Sequence, residues 1–397
     1  MSGWIPFEPD DGHLGADPRL AGGRLTIDLE ALAANYRLLA RRAAPARVAG
    51  VVKADAYGLG IRRVAPVLWR EGCRTFFVAL PEEGALLRQV LPNAEIFVLN
   101  GLFGPEAARA YGEHSLVPVL GSQADISSWE AFGWDDGATS RPCAIHVDTG
   151  MNRLGLTPAE ARSFAAENRL TDALTPLLLM SHLACGDDPA NPLNRRQLES
   201  FQAVRTAFGE IESSLSNSAG TFLGRDFAFD MVRPGIALYG GAPASGIENP
   251  MRPVATVEAR VVQVRQAKAG ATVSYGASQA LSRDTQIAVV SVGYADGFHR
   301  AGSAAGVPLR ATVPHGAAGF VHGRRVPVLG RVTMDLTLFD VTDLGPGAVT
   351  AGDWIELFGP NLALDEAAAA AGTISYEMLT SLGRRYYRHY VGGELPD

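Results

Sequence analysis

The sequence predicts an α/β fold, a (β/α)8 TIM-type barrel followed by a mainly β C-terminal domain. Between Arg24 and about Gly241, eight short apolar runs alternate with segments of helical period. Such runs are typical of parallel strands buried by helices. An open doubly wound sheet has the same local pattern, so the count of eight favours the closed barrel. After about residue 245, short alternating runs separated by Gly, Pro and Asp predict a β-domain.

Each barrel element has its own pattern. The first helix, LEALAANYRLLARRA, has Leu29, Leu32, Tyr36 and Leu39 at helical spacing. The eight predicted strands are VAGVVK, TFFVAL, EIFVLN, LVPVL, CAIHVDT, LLLMSHLA, LSNSAG and DMVRPGIALYG. The predicted helices between them are RRVAPVLWREG, PEEGALLRQVL, GPEAARAYG, TPAEARSFAAENR and RRQLESFQAVRTAFG. Three of these carry Pro in the first turn, where its missing N–H does no harm.

We therefore predict three segments. Residues 1–22 form a loosely packed arm, 23–244 form the barrel, and 245–397 form the β-domain. The alternative for the first strand of the 23–244 segment is that it pairs with the β-domain. The predicted β-runs are ATVEARVVQVRQ, IAVVSVG, VPLRATV, RRVPVLGRV, DLTLFDV and DWIELF. The last segment, SYEMLTSLGRRYYRHYV, is predicted to be a helical tail.

Composition excludes several classes of protein. A net charge of −7 without a dense basic stripe argues against nucleic acid as a partner. No apolar run is long enough to span a bilayer, and the N-terminus lacks a signal-peptide pattern, so we expect a cytoplasmic protein. Three widely spaced cysteines predict neither a disulfide framework nor a metal site.

Lysine is rare in this chain, with only Lys53 and Lys268 among 35 basic residues. Lys53 follows an apolar strand in VVKADAYGLG, where desolvation lowers the pKa of an amine and makes it a nucleophile that forms Schiff bases. The alternative is a surface lysine, but the chain uses arginine almost wherever a cation is needed. Lys268 lies in a polar turn, where the surface interpretation is the better one.

Three further motifs also follow predicted strands. HVDTGMNRLGL carries Arg153, whose guanidinium suits an anionic oxygen, unless it simply pairs with Asp148. SHLACG carries His182, which alone would be interpreted as a core residue. The turn after the seventh predicted strand carries Ser218.

The last of the motifs, MVRPGIALYG, carries Arg233, Gly235 and Ile236 after the eighth predicted strand. Loops after the last two barrel strands commonly bind phosphate through backbone N–H groups and a hydroxyl, although ordinary turns have similar compositions. All of these motifs fall on the face where barrel active sites form. An amine, an arginine and a phosphate seat together suggest pyridoxal phosphate.

The motifs VVKADAYGLG, VDTGMNRLG, SHLA, NSA, RPGIALYG, VSYG, VGYADG, LGRVTMD and ISYE occur in this order. With them the sequence resembles the alanine racemase family, fold-type III pyridoxal-phosphate enzymes, from about residue 23 onward. The resemblance implies that Lys53 carries the cofactor, Arg153 contacts its phenolic oxygen, and Arg233 faces its pyridine nitrogen. The cofactor-binding residues implied in all are Lys53, Tyr57, Arg153, His182, Asn217, Ser218, Arg233, Gly235, Ile236 and Tyr376.

The resemblance also implies the reaction, which is interconversion of L- and D-alanine by a homodimer, supplying D-alanine for peptidoglycan. Lys53 would serve one face of Cα, and Tyr275 from the partner subunit the other. Substrate contacts would come from Arg153, Tyr275, Tyr294 and Met334, with Asp335 beside Met334. A narrow pocket would select small side chains, although an added hydroxyl is poorly discriminated, which leaves serine turnover open.

One position departs from the family pattern. Many relatives have a carbamylated lysine seven residues before the arginine of the MNR motif, where this chain has His146. An imidazole cannot supply a carbamate's negative charge. The competing interpretations are a fold-type III amino-acid decarboxylase, a non-catalytic pyridoxal-phosphate homeostasis protein and a broad-specificity racemase. The VSYG tyrosine argues against the decarboxylase, and the β-domain argues against the homeostasis protein. The lack of a signal-peptide pattern argues against the broad-specificity racemase.

Overall fold

The computed structural model describes residues 17–132, 141–166, 174–308 and 316–393. The chain divides into two compact units. Leu32–Arg252 form the first, which we call the barrel unit, and Pro253–Gly392 together with the described residues before Leu32 form the second, the β-unit. Most of the predicted arm and of the predicted strand VPLRATV lies outside the described residues.

The strands of the barrel unit pair in parallel, and several are buried along their whole length, as expected for strands covered by helices. A strand of the β-unit, β1 (Gly23–Asp28), precedes them. In chain order the barrel strands are β2 (Arg47–Val48), β3 (Gly50–Val51), β4 (Thr75–Val78), β5 (Glu95–Val98), β6 (Val117–Leu120), β7 (Arg141–His146), β8 (Leu174–Met180), β9 (Ser213–Ser214) and β10 (Met231–Val232).

Hydrogen bonds close these strands into a barrel. Strands β3 to β9 form one parallel sheet, and β10 pairs with β2. The N–H of Ala49 donates to the carbonyl of Val232 at 2.9 Å, so that residues 47–51 act as one barrel strand. The N–H of Arg233 donates to the carbonyl of Ser216 at 2.8 Å and joins the last two strands. The predicted (β/α)8 barrel is confirmed.

Helices follow the strands around the barrel. They are α1 (Leu29–Ala43), the short turn α2 (Lys53–Tyr57), α3 (Ile61–Arg70), α4 (Pro81–Val90), α5 (Pro105–Glu113), α6 (Gln123–Ala131), α7 (Pro158–Ala166) and α8 (Pro192–Phe208). Proline opens four of them, where it costs no hydrogen bond. Helix α6 was not predicted; it begins where the Ser122 hydroxyl accepts a hydrogen bond from the N–H of Asp125.

The β-unit is built on the long strand β11, which pairs with β1, β14 and β18. Its elements are β11 (Ala255–Ala267), β12 (Thr272–Val273), β13 (Gln279–Ala280), β14 (Thr285–Val290), β15 (Ala318–Val321), β16 (Arg324–Pro327), β17 (Thr337–Asp340), β18 (Trp354–Phe358), α9 (Leu364–Ala370), α10 (Ser375–Thr380) and β19 (Tyr386–Val391). Strand β1, the first strand of the predicted barrel segment, therefore lies in the sheet of this unit.

Three local predictions were wrong. The predicted helical tail is helical only over Ser375–Thr380, and its second half is β19, which pairs in parallel with β1. The strand predicted at LSNSAG lies earlier, at Ser213–Ser214, and the motif itself forms a turn. The eighth predicted strand is only two residues long and is followed by a 3-10 turn, Ile236–Tyr239. Among the described residues, no helix has the length and apolar character needed to cross a membrane.

Candidate functional site

Lys53 begins an unusual turn directly after the first barrel strand. The four residues Ala54–Tyr57 all have φ between 52° and 57°, a left-handed turn that L-residues rarely adopt in succession, and Gly58 ends it. The carboxylate of Glu83 accepts a hydrogen bond from the Ala54 N–H at 2.6 Å and helps to hold the turn. Backbone strain of this kind persists where surrounding contacts fix it, and it is concentrated at functional sites.

The amine of Lys53 is influenced by both burial and nearby charges. It is partly buried, and this burial lowers the pKa of the amine, with a further decrease from the charge of Arg153; Glu83 opposes both. A lysine of lowered pKa has a larger fraction of neutral, nucleophilic amine at neutral pH. Lys53 therefore has the character predicted for it from its position at the end of a strand.

Two histidines share this environment. Burial, followed by the charges of Arg233 and Arg153, lowers the pKa of His146 to about 4. The same causes, with smaller contributions from His146 and Lys53, hold the pKa of His182 well below its ordinary value. Both imidazoles are therefore neutral at pH 7. Arg153 and Arg233 act electrostatically on both histidines, and Arg153 also acts on Lys53. Lys53, Arg153, His182 and Arg233 therefore lie within electrostatic range as one group, and His146 belongs to the same group.

Arg233 is buried without a carboxylate partner among its hydrogen bonds. Its guanidinium donates to the Ser181 carbonyl at 2.6 Å and to the Ser214 hydroxyl, both neutral oxygens. Burial lowers its pKa to about 9, so it is still a cation at pH 7. No carboxylate of the described residues hydrogen-bonds this buried cation, and a cation in that situation favours an anionic ligand nearby.

The seat predicted for a phosphate is formed by the ends of the last two strands. The Ser218 hydroxyl accepts hydrogen bonds from the N–H groups of Gly235 at 2.9 Å and Ala237 at 3.2 Å. The Tyr57 ring packs against Tyr239, with ring centroids 4.6 Å apart. A Cβ built on Gly235 would lie 2.0 Å from the Tyr57 hydroxyl, so only glycine permits this approach.

The sequence did not predict a role for Gln197, which organises the His182 loop. This fully buried side chain donates to the His182 carbonyl at 2.9 Å and to the Thr149 hydroxyl, and it accepts a hydrogen bond from the Ala184 N–H. The Asn217 amide lies 3.4 Å from Nε2 of His182. The sequence feature that could have indicated this role is a glutamine on the apolar face of α8, next to Leu198 and Phe201.

The remaining predicted residues belong to the β-unit and are solvent-exposed there. Tyr275, in the turn between β12 and β13, has 74% of its surface exposed. Tyr294, Met334 and Tyr376 are also exposed. Large apolar and aromatic side chains exposed on one unit are typical of a binding surface.

Tyr294 and Met334 lie on two loops that are joined by backbone hydrogen bonds. The N–H of Tyr294 donates to the Thr333 carbonyl at 2.9 Å, and the N–H of Ala295 donates to the Met334 carbonyl at 3.0 Å. Beside them, the Arg385 guanidinium binds Asp335 at 2.8 Å. Tyr294 and Met334 are therefore presented as one surface.

The described residues contain no group of His, Cys, Asp or Glu side chains suited to hold a metal ion. A closed parallel barrel with an activated lysine where its strands end is the architecture of a barrel enzyme that reacts through an amine. The comparisons with known proteins make this class specific.

The family models for the N-terminal and C-terminal domains of alanine racemase match residues 27–243 and 254–390. The chain is 53% identical to alanine racemase of Rhizobium meliloti (strain 1021), covering 94% of this chain and 98% of that protein. It is 54% identical to the biosynthetic alanine racemase of Agrobacterium fabrum (strain C58 / ATCC 33970), covering 93% of each. The protein belongs to the alanine racemase family.

The fold agrees with solved structures of that family. The crystal structure of alanine racemase from Bartonella henselae with covalently bound pyridoxal phosphate has a TM-score of 0.85 and 40% sequence identity. The match covers 94% of this chain and all of the other. The resemblance inferred from the sequence motifs is confirmed.

Proposed function

We propose that this protein is a pyridoxal-phosphate-dependent racemase that interconverts L-alanine and D-alanine. The observation that carries the proposal is Lys53, an amine where the first barrel strand ends, whose pKa is lowered by burial and by the charge of Arg153. The relatives' printed activity supports alanine as the substrate, and the cofactor bound in the Bartonella henselae enzyme supports pyridoxal phosphate.

The residues around Lys53 fit this cofactor. An amine of lowered pKa suits a covalent bond to an aldehyde. The Ser218 hydroxyl and the backbone N–H groups of Gly235, which here donates to that hydroxyl, and of Ile236 suit a phosphate. The missing Cβ of Gly235 leaves room for Tyr57 beside that seat. We assign Asn217 and Tyr376 to the same set of cofactor-binding residues. When bound, pyridoxal phosphate withdraws electrons and so acidifies the Cα proton of an amino acid.

Arg233 would set how strongly the cofactor ring withdraws electrons from Cα. A guanidinium donates hydrogen bonds and cannot accept them, so Arg233, if it faces the cofactor's pyridine nitrogen, would keep that nitrogen unprotonated. Weaker withdrawal disfavours protonation at the wrong carbon, which favours racemisation over transamination. Arg153 would contact the phenolic oxygen and the substrate carboxylate, and His182 would stack near the ring.

Racemisation needs proton transfer on both faces of Cα, because a single group tends to return its proton with retention. We assign one face to Lys53 and the other to Tyr275 of the partner subunit. The exposure of Tyr275, Tyr294 and Met334 supports a homodimer in which one copy completes the site of the other. Met334 would contact substrate, and Tyr294 and Tyr376 would narrow the entrance to small side chains.

His146 takes the place where many family members have a carbamylated lysine. Its neutral imidazole brings no negative charge, so Arg153 is oriented without the carbamate's ion pair. His146 would contribute a hydrogen-bonding group in a dry setting instead.

We further propose that the enzyme acts in the cytoplasm and supplies D-alanine for peptidoglycan. The reaction is tested by incubating the purified protein with L-alanine and pyridoxal phosphate and separating the products by chiral chromatography. We expect D-alanine to form until the enantiomers are equal. Ethylamine would instead indicate a decarboxylase, and an unchanged substrate with bound cofactor would indicate a homeostasis protein.

A further inference from the structure

The turn that carries Tyr275 has a strained backbone at the preceding residue. Ser274 has φ 64° and ψ 179°, a conformation almost reserved for glycine. Gly276 and Ala277 continue the turn with φ of 70° and 48°. A serine persists in this conformation only where other contacts fix it, so the contacts of its side chain indicate what the strain achieves.

Those contacts are made with the LGRVTMD motif. The Ser274 hydroxyl donates to the Arg331 carbonyl at 3.0 Å and accepts a hydrogen bond from the Arg331 N–H at 3.1 Å. The neighbouring Gly330 has φ 62°, and a Cβ built there would lie 2.6 Å from the Ser274 Cβ. The side chain of Gln279 accepts a hydrogen bond from the Gly330 N–H at 2.6 Å. Ser274 packs against Gly330 and hydrogen-bonds Arg331, and Gln279 hydrogen-bonds Gly330, so both ends of the Tyr275 turn are fastened to this pair of residues.

The Arg331 side chain supports the turn from the same side. A Cβ built on Gly276 would lie 3.2 Å from Nη1 of Arg331, and one built on Gly306 would lie 2.2 Å from its Nε. That Nε is buried and has no hydrogen-bond partner in the part of the chain that the structure describes. The guanidinium therefore packs closely against two glycines.

The Tyr275 ring receives little support from its own chain, since 74% of its surface is exposed. The direction of its hydroxyl is therefore set mainly by the backbone of the turn. We infer that Ser274 is a positioning residue that fixes Tyr275 for proton transfer by fastening its turn to Gly330 and Arg331. This inference rests on the proposed role of Tyr275 and adds the residues that place it.

The test uses the holoenzyme of Ser274→Gly, which is compatible with the backbone but lacks the hydroxyl. Alanine of each enantiomer is incubated in deuterated water, and exchange at Cα with retention is measured beside racemisation. Misplacement of a catalytic group by about 1 Å costs on the order of 100-fold. We expect the rate of racemisation to fall by about tenfold or more. The enantiomer whose Cα proton Lys53 removes should still exchange that proton with solvent and keep its configuration, and the cofactor absorbance should be unchanged.

Ser278→Ala is the matched control, because it removes a hydroxyl of the same turn that is buried without a partner. Its ratio of exchange to racemisation should equal that of the wild type. Ser274→Ala keeps a side chain in the strained position and should raise the ratio as Ser274→Gly does. Adding Ser274→Gly to Tyr275→Phe should have no further effect on the ratio.

The outcomes separate this inference from the proposed function. A wild-type ratio in Tyr275→Phe would overturn the proposed role of Tyr275. A raised ratio in Tyr275→Phe with a wild-type ratio in Ser274→Gly would overturn only the inference about Ser274. Loss of the cofactor absorbance in Ser274→Gly would also overturn it, since a fault confined to Tyr275 leaves the cofactor in place.

Discussion

A Cβ built on Gly235 would lie 2.0 Å from the hydroxyl oxygen of Tyr57 and 2.8 Å from the ring carbon that bears it. These residues are far apart in the sequence and meet because the first and last strands of the barrel are neighbours. The N–H of Val51 donates to the carbonyl of Pro234 at 3.2 Å across the same junction. Barrel closure and the proposed phosphate seat are therefore formed by the same contacts.

Gly235→Ala should damage the seat. The added methyl forces the Tyr57 ring to move, and overpacking of this kind costs about 1–3 kcal/mol of stability. We expect a lower Tm and weaker cofactor binding in an absorbance titration. Combining it with Tyr57→Phe removes the closest atom and should recover part of the loss in Tm, although not of the cofactor binding, because the Tyr57 hydroxyl itself belongs to the proposed cofactor site. If the double variant recovers nothing, the Tyr57 contact is not the reason for glycine here.

Lys53→Ala should lose the visible absorbance of the bound cofactor and the racemase activity together, because no other amine takes its place. Lys268→Ala is the control. Lys268 is the other lysine of the chain and pairs with Asp284 at 2.7 Å on the surface of the β-unit. It should keep both properties. A coloured and fully active Lys53→Ala enzyme would contradict the assignment.

Tyr275→Phe should keep the cofactor absorbance and lose proton transfer on one face. Removing a general acid or base typically costs about 100- to 10,000-fold in rate. We expect a loss of that size in steady-state racemisation. Tyr387→Phe removes a tyrosine hydroxyl elsewhere in the β-unit and should behave as the wild type. Racemisation by Tyr275→Phe at the wild-type rate would disprove the two-residue scheme.

His146 should make stability depend on pH. Burial first, and then Arg233 and Arg153, lower its folded pKa to about 4, whereas an unfolded histidine titrates near 6.5. Between these values the unfolded state binds the extra proton, so stability is lost as the pH falls from about 6.5 towards 4. This group alone should contribute a loss of about 2 kcal/mol between pH 7 and pH 5.

His146→Gln keeps a polar side chain without this titration. Urea-unfolding curves of both proteins, with cofactor bound, should show a smaller loss of stability in the variant between pH 7 and pH 5. The buried His182 acts in the same direction in both proteins, and burial, Arg233 and Arg153, the larger causes of its lowered pKa, are retained in the variant. Equal losses in the two proteins would show that His146 does not titrate as described.

Local patterns predicted the barrel well where its strands are apolar on both faces. TFFV and VPVL are buried throughout and were found from hydropathy alone. Strand β9 was misplaced because its residues are serines. The hydroxyl of Ser213 donates to Asp230 at 2.7 Å and that of Ser214 donates to the Met231 carbonyl at 2.5 Å, which satisfies buried polar groups that hydropathy counts as exposed.

The remaining incorrect or missing predictions concern residues whose interaction partners are far away in the sequence. Strand β19 was predicted to be helical because its partner β1 lies more than 300 residues earlier in the chain. In the site, Lys53, Arg153, His182 and Arg233 were predictable because each follows a strand and barrel sites form at one end. Gln197 was missed because its importance lies in hydrogen bonds to two loops that the sequence does not place beside it, two to the His182 loop and one to Thr149.

The central claim is that two residues move the Cα proton on opposite faces. The most direct test is the reaction of ordinary L-alanine with the holoenzyme in deuterated water, with the D-alanine of the earliest turnovers analysed by chiral chromatography and mass spectrometry. Removal of the proton on one face and delivery from the other predicts D-alanine that carries deuterium at Cα. Early D-alanine that keeps the substrate's own hydrogen would contradict the account.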